Sequence, residues 1–185
     1  FRARPHPFLG RCVLHPELPS IQKFIVTSTA DVTIEKVVSN SWPTSITAKN
    51  VTFTGTTYNS VSINVEETAT FNGGTYNNEV AVVGSEDDAE AVINGGLFNH
   101  NFKSSVDTTI KGGLLPSVDA DGNGVADYML IMNAGKTLTV EKADEPFGPL
   151  FSTSGAGCKL VYDTQDIRDF YSGLIVGNWS NISVK

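Results

Sequence analysis

One short phrase occurs four times in this sequence and constrains its fold more than any other feature. Its copies begin at Phe53, Phe71, Ile93 and Ile110, at intervals of 18, 22 and 17 residues. Each copy has an apolar residue, a glycine two positions later and an aromatic residue or Leu five positions later, and the first three copies then have Asn. A fainter copy without the glycine begins at Ile34. Repetition at this period indicates similar units that stack on one another.

The segments between the copies have the character of strands. Residues 61–65 and 80–83 alternate apolar and polar side chains or are rich in β-branched residues, and Gly, Asn and Ser bound them. Each repeat therefore contains at least two short strands, which in a parallel stack give an all-β fold, a parallel β-helix. A sandwich of antiparallel hairpins is the alternative that the same turn spacing permits.

A β-helix gives each residue of the phrase a position. Gly at the third position permits a bend that a Cβ would obstruct, and Asn at the seventh is expected at a corner, where stacked carboxamides can hydrogen-bond to one another. The first and sixth positions are expected to form two inward columns, of Phe53, Phe71, Ile93 and Ile110 and of Tyr58, Tyr76, Phe98 and Leu115.

The phrases TATFNGGTYNN, EAVINGGLFNH and TTIKGGLL resemble the glycine-glycine-aromatic repeats of right-handed parallel β-helix proteins on bacterial surfaces and in phage fibres. The resemblance covers residues 32–116. It implies a non-enzymatic structural or adhesive protein of a cell envelope, cell surface or virion, working extracellularly, that binds glycans and forms a homo-oligomer such as a trimer. Other proteins of this fold are polysaccharide lyases and glycoside hydrolases, which leaves enzymatic function as an alternative.

The two ends of the chain differ from the repeats. Residues 1–24 carry a net charge of +3 and four prolines, whereas the remainder carries −10. Proline is excluded from helix interiors and central strands, so residues 1–24 are predicted to form an extended arm that can strap a neighbouring subunit, and residues 25–185 a single β-helix domain. Further strands are predicted at 129–132, 137–140, 159–162 and 181–184. The interval of 20 residues from Val140 to Leu160 and that of 22 from Leu160 to Ile182 suit successive coils, with these residues in equivalent positions. A capping helix is predicted at 163–172 with Thr164 or Asp163 as N-cap.

The sharpest local motif predicts a structural Ca²⁺ in a loop excursion at 116–128. Residues with side-chain oxygens stand at positions 1, 3, 5 and 9 of the motif, which begins at residue 119. Gly124 at position 6 allows the sharp turn that such a site needs. The motif resembles the short calcium loops of integrin-like and dockerin-like repeats but not an EF-hand, because Leu130 stands where the bidentate Glu would be. An acidic loop without an ion is the alternative. The predicted ligands are the side chains of Asp119, Asp121, Asn123 and Asp127 and the carbonyl of Val125.

Paired acids are the candidates for glycan recognition. Glu66 and Glu67, with Tyr58 and Tyr76 on a concave face, are the predicted glycan-binding residues, and two carboxylates could also serve as general acid and base. Consecutive acids in a turn between strands are usually part of a solvated surface, and this is the alternative. Arg168 is the only arginine outside the arm, which disfavours a lyase that needs a basic residue beside a metal.

Composition removes several classes of function. The net charge of −7 argues against a nucleic-acid partner, since phosphate neutralisation needs clustered Lys and Arg. No apolar run approaches the roughly 20 residues of a membrane span. Cys12 and Cys158 allow at most one disulfide, whose formation the sequence leaves open. Alternating threonines could also form a flat ice-binding face: Thr52, Thr54, Thr56, Thr68 and Thr70.

Overall fold

The computed structural model describes residues 11–14, 24–35, 38–39, 44–55, 57–58, 60–113, 129–142 and 150–185. These residues form a parallel β-solenoid with one short helix. The elements are β1 Arg11–Leu14, β2 Phe24–Thr27, β3 Asp31–Glu35, β4 Val38–Ser39, β5 Thr44–Thr54, β6 Thr57–Tyr58, β7 Val61–Tyr76, β8 Val80–Gly84, β9 Glu90–Phe98, β10 Phe102–Ser104, β11 Asp107–Ile110, β12 Met129–Met132, β13 Thr137–Val140, β14 Leu150–Thr153, β15 Lys159–Tyr162, α1 Gln165–Phe170 and β16 Asn181–Val184.

The strands stack in three columns, which we call A, B and C. Column A contains β2, β8, β10, β12 and β14 with the first halves of β5 and β7. Column B contains β1, β3, β11, β13, β15 and β16 with the later parts of β5 and β7 and the first part of β9. Column C contains β4, β6 and the ends of β7 and β9. All these pairs are parallel, so the predicted solenoid is confirmed and the antiparallel sandwich is wrong.

The repeated phrase builds the core as predicted. Phe53 stacks on Phe71 with ring centroids 5.1 Å apart, and Phe71 lies in register with Ile93. In the second inward column, Tyr76 stacks on Tyr58 at 5.7 Å and on Phe98 at 4.6 Å. All six side chains are at most 1% exposed. Ile34 also pairs with Phe53, so the faint first copy belongs to the array; Leu115 lies outside the described residues.

The glycines of the phrase have two separate tasks. The first task is to adopt the left-handed backbone conformation. In the copy that begins at Phe53 this residue is Gly55, with φ +61°, and in the copy that begins at Ile110 it is the second glycine, Gly113, with φ +100°. The first glycine of that copy, Gly112, is required for space, since a Cβ there would lie 2.6 Å from the Asn94 carbonyl oxygen. The predicted Asn stack is confirmed between Asn77 and Asn99, whose amide group donates to the Asn77 Oδ1 at 3.1 Å.

The predicted C-terminal strands are confirmed, but one register is corrected. β12, β13, β15 and β16 have the predicted bounds, and Leu160 pairs with Ile182 as its interval indicated. Val140 pairs with Tyr162, not with Leu160 as the sequence interval suggested. A two-residue shift keeps every side chain on its predicted face, so alternation alone cannot distinguish the two registers.

Helix α1 lies between β15 and β16 and covers part of the core. Its N-cap is Thr164, one of the two predicted caps, whose Oγ1 accepts a hydrogen bond from the Ile167 amide at 3.3 Å. Ile167 and Tyr171 are buried, and the Tyr171 ring lies 4.9 Å from that of Phe151. Helix α1 therefore covers core side chains of the coil that precedes β16, the last strand.

Part of the predicted arm belongs to the sheet, because β1 pairs in parallel with β3 and places Cys12 in register with Val32. The arm's prolines lie outside the described residues. Seven strand steps of roughly 4.8 Å separate β1 from β15, which follows Cys158. A disulfide needs Cα atoms within about 7 Å, so the two cysteines do not pair. Cys158 is a buried free thiol.

Candidate functional site

The outer face of column B carries side chains in aligned rows. Strands present alternate residues to opposite faces, and the parallel register brings equivalent residues of successive coils side by side. One of these rows, which we call the central row, consists mostly of threonines, with two valines and a serine among them. From β3 onward the row is Thr33, Thr52, Thr70, Val92, Thr109, Thr139, Val161 and Ser183.

A polar groove of about 600 Å³ lies over this face where it crosses β3, β5 and β7. The short side chains of the central row lie between rows of carboxylate, carboxamide and hydroxyl groups, which accounts for the depression. We call it the column B groove. Its polar lining residues are Asp31, Thr33, Glu35, Asn50, Thr52, Thr54, Thr68, Thr70 and Asn72.

Asn50 organises one side of the column B groove. Its Nδ2 donates to the Asp31 Oδ1 and to the Glu67 Oε2, both at 2.9 Å, and its Oδ1 accepts from the Thr68 amide at 2.9 Å. Because both carboxylates accept hydrogen bonds from the same nitrogen, the two accepting oxygens are separated by less than twice the 2.9 Å donor–acceptor distance. Asn50 thus holds two acids side by side at the surface.

The Glu67 carboxylate is held in its ionised form. Lys49 Nζ lies 2.9 Å from its Oε1, and hydrogen bonds from Lys49 and then Asn50 lower the pKa of Glu67. The same contact raises the pKa of Lys49. A general acid for glycoside hydrolysis needs the opposite shift, a raised pKa. Glu67 is therefore suited to accept hydrogen bonds and not to donate a proton.

The structure corrects part of the predicted glycan site. Tyr58 and Tyr76 are fully buried in column C, stacked on each other inside the core, so a ligand at the surface cannot contact their rings. Glu66 and Glu67 are exposed on β7, and Glu67 reaches the edge of the groove through Asn50.

Sequence reasoning missed the two acids that line the groove, Asp31 and Glu35. The signal that could have found them is alternation: with Ile34 assigned to the core, Asp31, Thr33 and Glu35 must face outward. Thr52, one of the threonines considered for an outer face, does lie there.

The predicted calcium ligands, Asp119, Asp121, Asn123, Val125 and Asp127, lie outside the described residues, so the Ca²⁺ site stays a prediction. Within the described part of the chain, no group of three or more His, Cys, Asp or Glu side chains is placed to hold a metal ion.

The fold and the column B groove define the molecule as a parallel β-solenoid protein with a polar groove on one outer face. Comparison with protein families, curated proteins and solved structures finds no match to this chain. Across the described ranges, no helix is long and apolar enough to cross a membrane.

Proposed function

We propose that the protein is a non-enzymatic structural or adhesive element of a cell surface, cell envelope or virion, and that it binds glycans in the column B groove. The observation that carries the proposal is the polar lining of that groove, set on the face of a stacked, tightly packed solenoid.

The chemistry of the lining suits sugar hydroxyl groups. Carboxylates accept hydrogen bonds from them, whereas threonine hydroxyls and carboxamides can both donate and accept. These groups are mounted on strands, whose packed core holds them in place before a ligand arrives. Preorganisation of this kind lowers the entropic cost of binding.

The pair formed by Asp31 and Glu67 supports an enzymatic alternative, because two carboxylates at such separation occur in glycoside hydrolases. The lowered pKa of Glu67 argues against that alternative, since the acid that protonates the leaving group must be neutral before reaction. Release of shorter oligosaccharides from a bound glycan would favour the enzyme over the adhesive element.

A glycan array read with purified protein tests the proposal. The variant Thr52→Arg places a long side chain in the groove and is expected to weaken binding of any retained glycan at least tenfold. The matched control is Thr109→Arg, which changes the same row on β11, outside the groove lining. Binding that both variants weaken equally, or an array with no bound glycan, would contradict the proposal.

A further inference from the structure

The last strand of column B leaves core positions uncovered. Ile182 of β16 lies in register with Leu160 and continues a row of core side chains that begins at Val32. From Val32 to Leu160 every described member of this row is at most 1% exposed, whereas Ile182 is 36% exposed. Val184, in register with the buried Tyr162, is also only partly buried. The two core rows of column B therefore reach the surface at β16.

Exposed apolar side chains are concentrated at this end. Among the described residues five large apolar side chains are exposed, and three of them belong to the last coil and the helix before it: Phe170, Val176 and Ile182. The terminal repeat of a solenoid that ends in water needs a polar outer face. An apolar terminal coil is instead typical of an interaction surface.

The cation beside this edge does not protect it. Edge strands commonly avoid association through charged side chains, lysine above all. Lys185 follows β16, but its Nζ binds Asp163 at 3.1 Å and Glu141 at 3.2 Å, which belong to the preceding coils. The lysine is therefore engaged with its own chain.

The opposite end of column B offers a matching strand. β1 pairs with β3 through one edge, and within the described ranges no strand pairs with its other edge. Cys12 and Leu14 lie in register with Val32 and Ile34, so they occupy the first positions of the same two rows. β1 also runs in the same direction as every other strand of column B.

We infer that β16 of one copy pairs with β1 of a second copy, so that molecules stack head to tail and column B continues across the contact. In this register Ile182 lies opposite Cys12 and Val184 opposite Leu14. The inference extends the proposed structural role by naming a partner, a second copy of this chain, and it does not depend on glycan binding.

Direction and charge favour this arrangement over a twofold one. A twofold contact between two β1 strands or two β16 strands that keeps the core rows on one face is antiparallel, whereas the head-to-tail contact is parallel like every pair of the column. Two β1 ends would also bring together two segments of charge +3, whereas head-to-tail stacking places that segment beside the remainder of charge −10. Because this contact does not close on itself, it gives chains of increasing length.

Cross-linking of Ile182→Cys to the native Cys12 tests the contact. Paired strands lie roughly 4.8 Å apart, within the range in which two cysteines form a disulfide. Cys158 is buried, so the wild-type protein can form only dimers through Cys12. Under mild oxidation by diamide, Ile182→Cys should give a ladder of trimers and larger species on a non-reducing gel, and mass spectrometry should identify the link between positions 12 and 182.

Ser183→Cys is the matched control, because its side chain leaves the same strand on the opposite face and cannot reach Cys12. It should give no species larger than dimers. Adding Cys12→Ser to Ile182→Cys should remove the ladder. In electron micrographs the ladder should have a subunit repeat of about 43 Å, the length of nine strand steps.

Ile182→Lys tests the same contact without a cross-link. A charge at this edge should keep the chain monomeric in sedimentation velocity, whereas the average mass of the wild-type protein should rise with concentration. The control Val83→Lys changes an exposed apolar residue on β8, away from both ends, and should associate like the wild-type protein.

The outcomes separate this inference from the glycan site. Links between two copies of position 12 or of position 182, an equal ladder from Ser183→Cys, or undiminished association of Ile182→Lys would each overturn head-to-tail stacking. None of these results changes the expected effect of Thr52→Arg on glycan binding. A ladder from Ile182→Cys with no glycan bound would support the stacking and contradict the glycan site.

Discussion

Thr44 is a polar residue at a position that belongs to the core. It lies in column A in register with Val61, is fully buried, and its Oγ1 has no hydrogen-bond partner among the described residues. A buried hydroxyl without a partner loses its hydration with no compensation. We expect Thr44→Val to raise the free energy of unfolding by about 1 kcal/mol.

Urea denaturation followed by circular dichroism measures this difference for Thr44→Val. The control is Thr47→Val, an exposed position on the same strand, which should change stability by less than about 0.5 kcal/mol. A lower stability for Thr44→Val would show that its hydroxyl has a partner after all.

Among the glycines of the repeated phrase, Gly112 has the least space for a side chain. A Cβ would lie 2.6 Å from a backbone oxygen, which cannot move aside as a flexible side chain could. Gly112→Ala should lower the free energy of unfolding by about 2 kcal/mol, as other overpacked sites do. Gly173→Ala is the matched control because nothing lies within 4 Å of its Cβ position. Equal thermal midpoints for the two variants would refute the close approach.

At the scale of elements, α1 depends on its N-cap. Thr164→Ala removes the acceptor for the Ile167 amide and should cost about 1 kcal/mol of stability. Thr164→Ser retains an oxygen at that position and should behave like the wild-type protein. Amide hydrogen exchange at Ile167 reports the change locally, and unchanged protection in Thr164→Ala would mean that packing of Ile167 and Tyr171 holds the helix without the cap.

The contact between β5 and β7 through Glu67 gives the fold a dependence on pH. Hydrogen bonds from Lys49 and Asn50 lower the folded-state pKa of Glu67 from its ordinary 4.5. A lowered folded-state pKa contributes stability above the unfolded value, and this contribution is lost as the pH falls from about 4.5 through the folded-state pKa. We expect Glu67→Gln to weaken the decline of stability below pH 4.5.

Thermal unfolding between pH 2.5 and pH 7 measures this effect of Glu67→Gln. The neighbouring exposed Glu66→Gln serves as the control and should keep the wild-type profile. A Glu67→Gln profile parallel to that of the wild-type protein at every pH would remove Glu67 from the account of acid sensitivity.

Sequence periodicity was sufficient for the elements but not for the site. The predicted bounds of β12, β13, β15 and β16 were confirmed because alternation marks each strand by itself. The column B groove arises from rows that join residues 17 to 22 positions apart, such as Thr52 with Thr70 and Asn72 with Asn94. The shape of the groove depends on the registers of three strands together. The pairing of Val140 with Tyr162, two residues from Leu160, shows that a register can shift by two residues without any change in alternation.

At the scale of the whole molecule, β1 forms one end of column B. One edge of β1 pairs with β3, and its other edge has no strand partner among the described residues. An open edge of this kind favours pairing with another chain. Together with the basic charge of residues 1–24 against the acidic remainder, it supports the proposed homo-oligomer in which the N-terminal segment straps a neighbouring subunit.

Two truncations separate the possible contacts of that segment. A chain without residues 1–20 lacks β1 and should elute as a monomer in gel filtration with light scattering, whereas the full chain should elute as an oligomer. A chain without residues 1–10 keeps β1 and should remain oligomeric if β1 makes the contact. A monomer from this shorter truncation would assign the contact to the first ten residues. A full chain that is already monomeric, with truncated chains whose masses differ from it only by the residues removed, would rule out the strap.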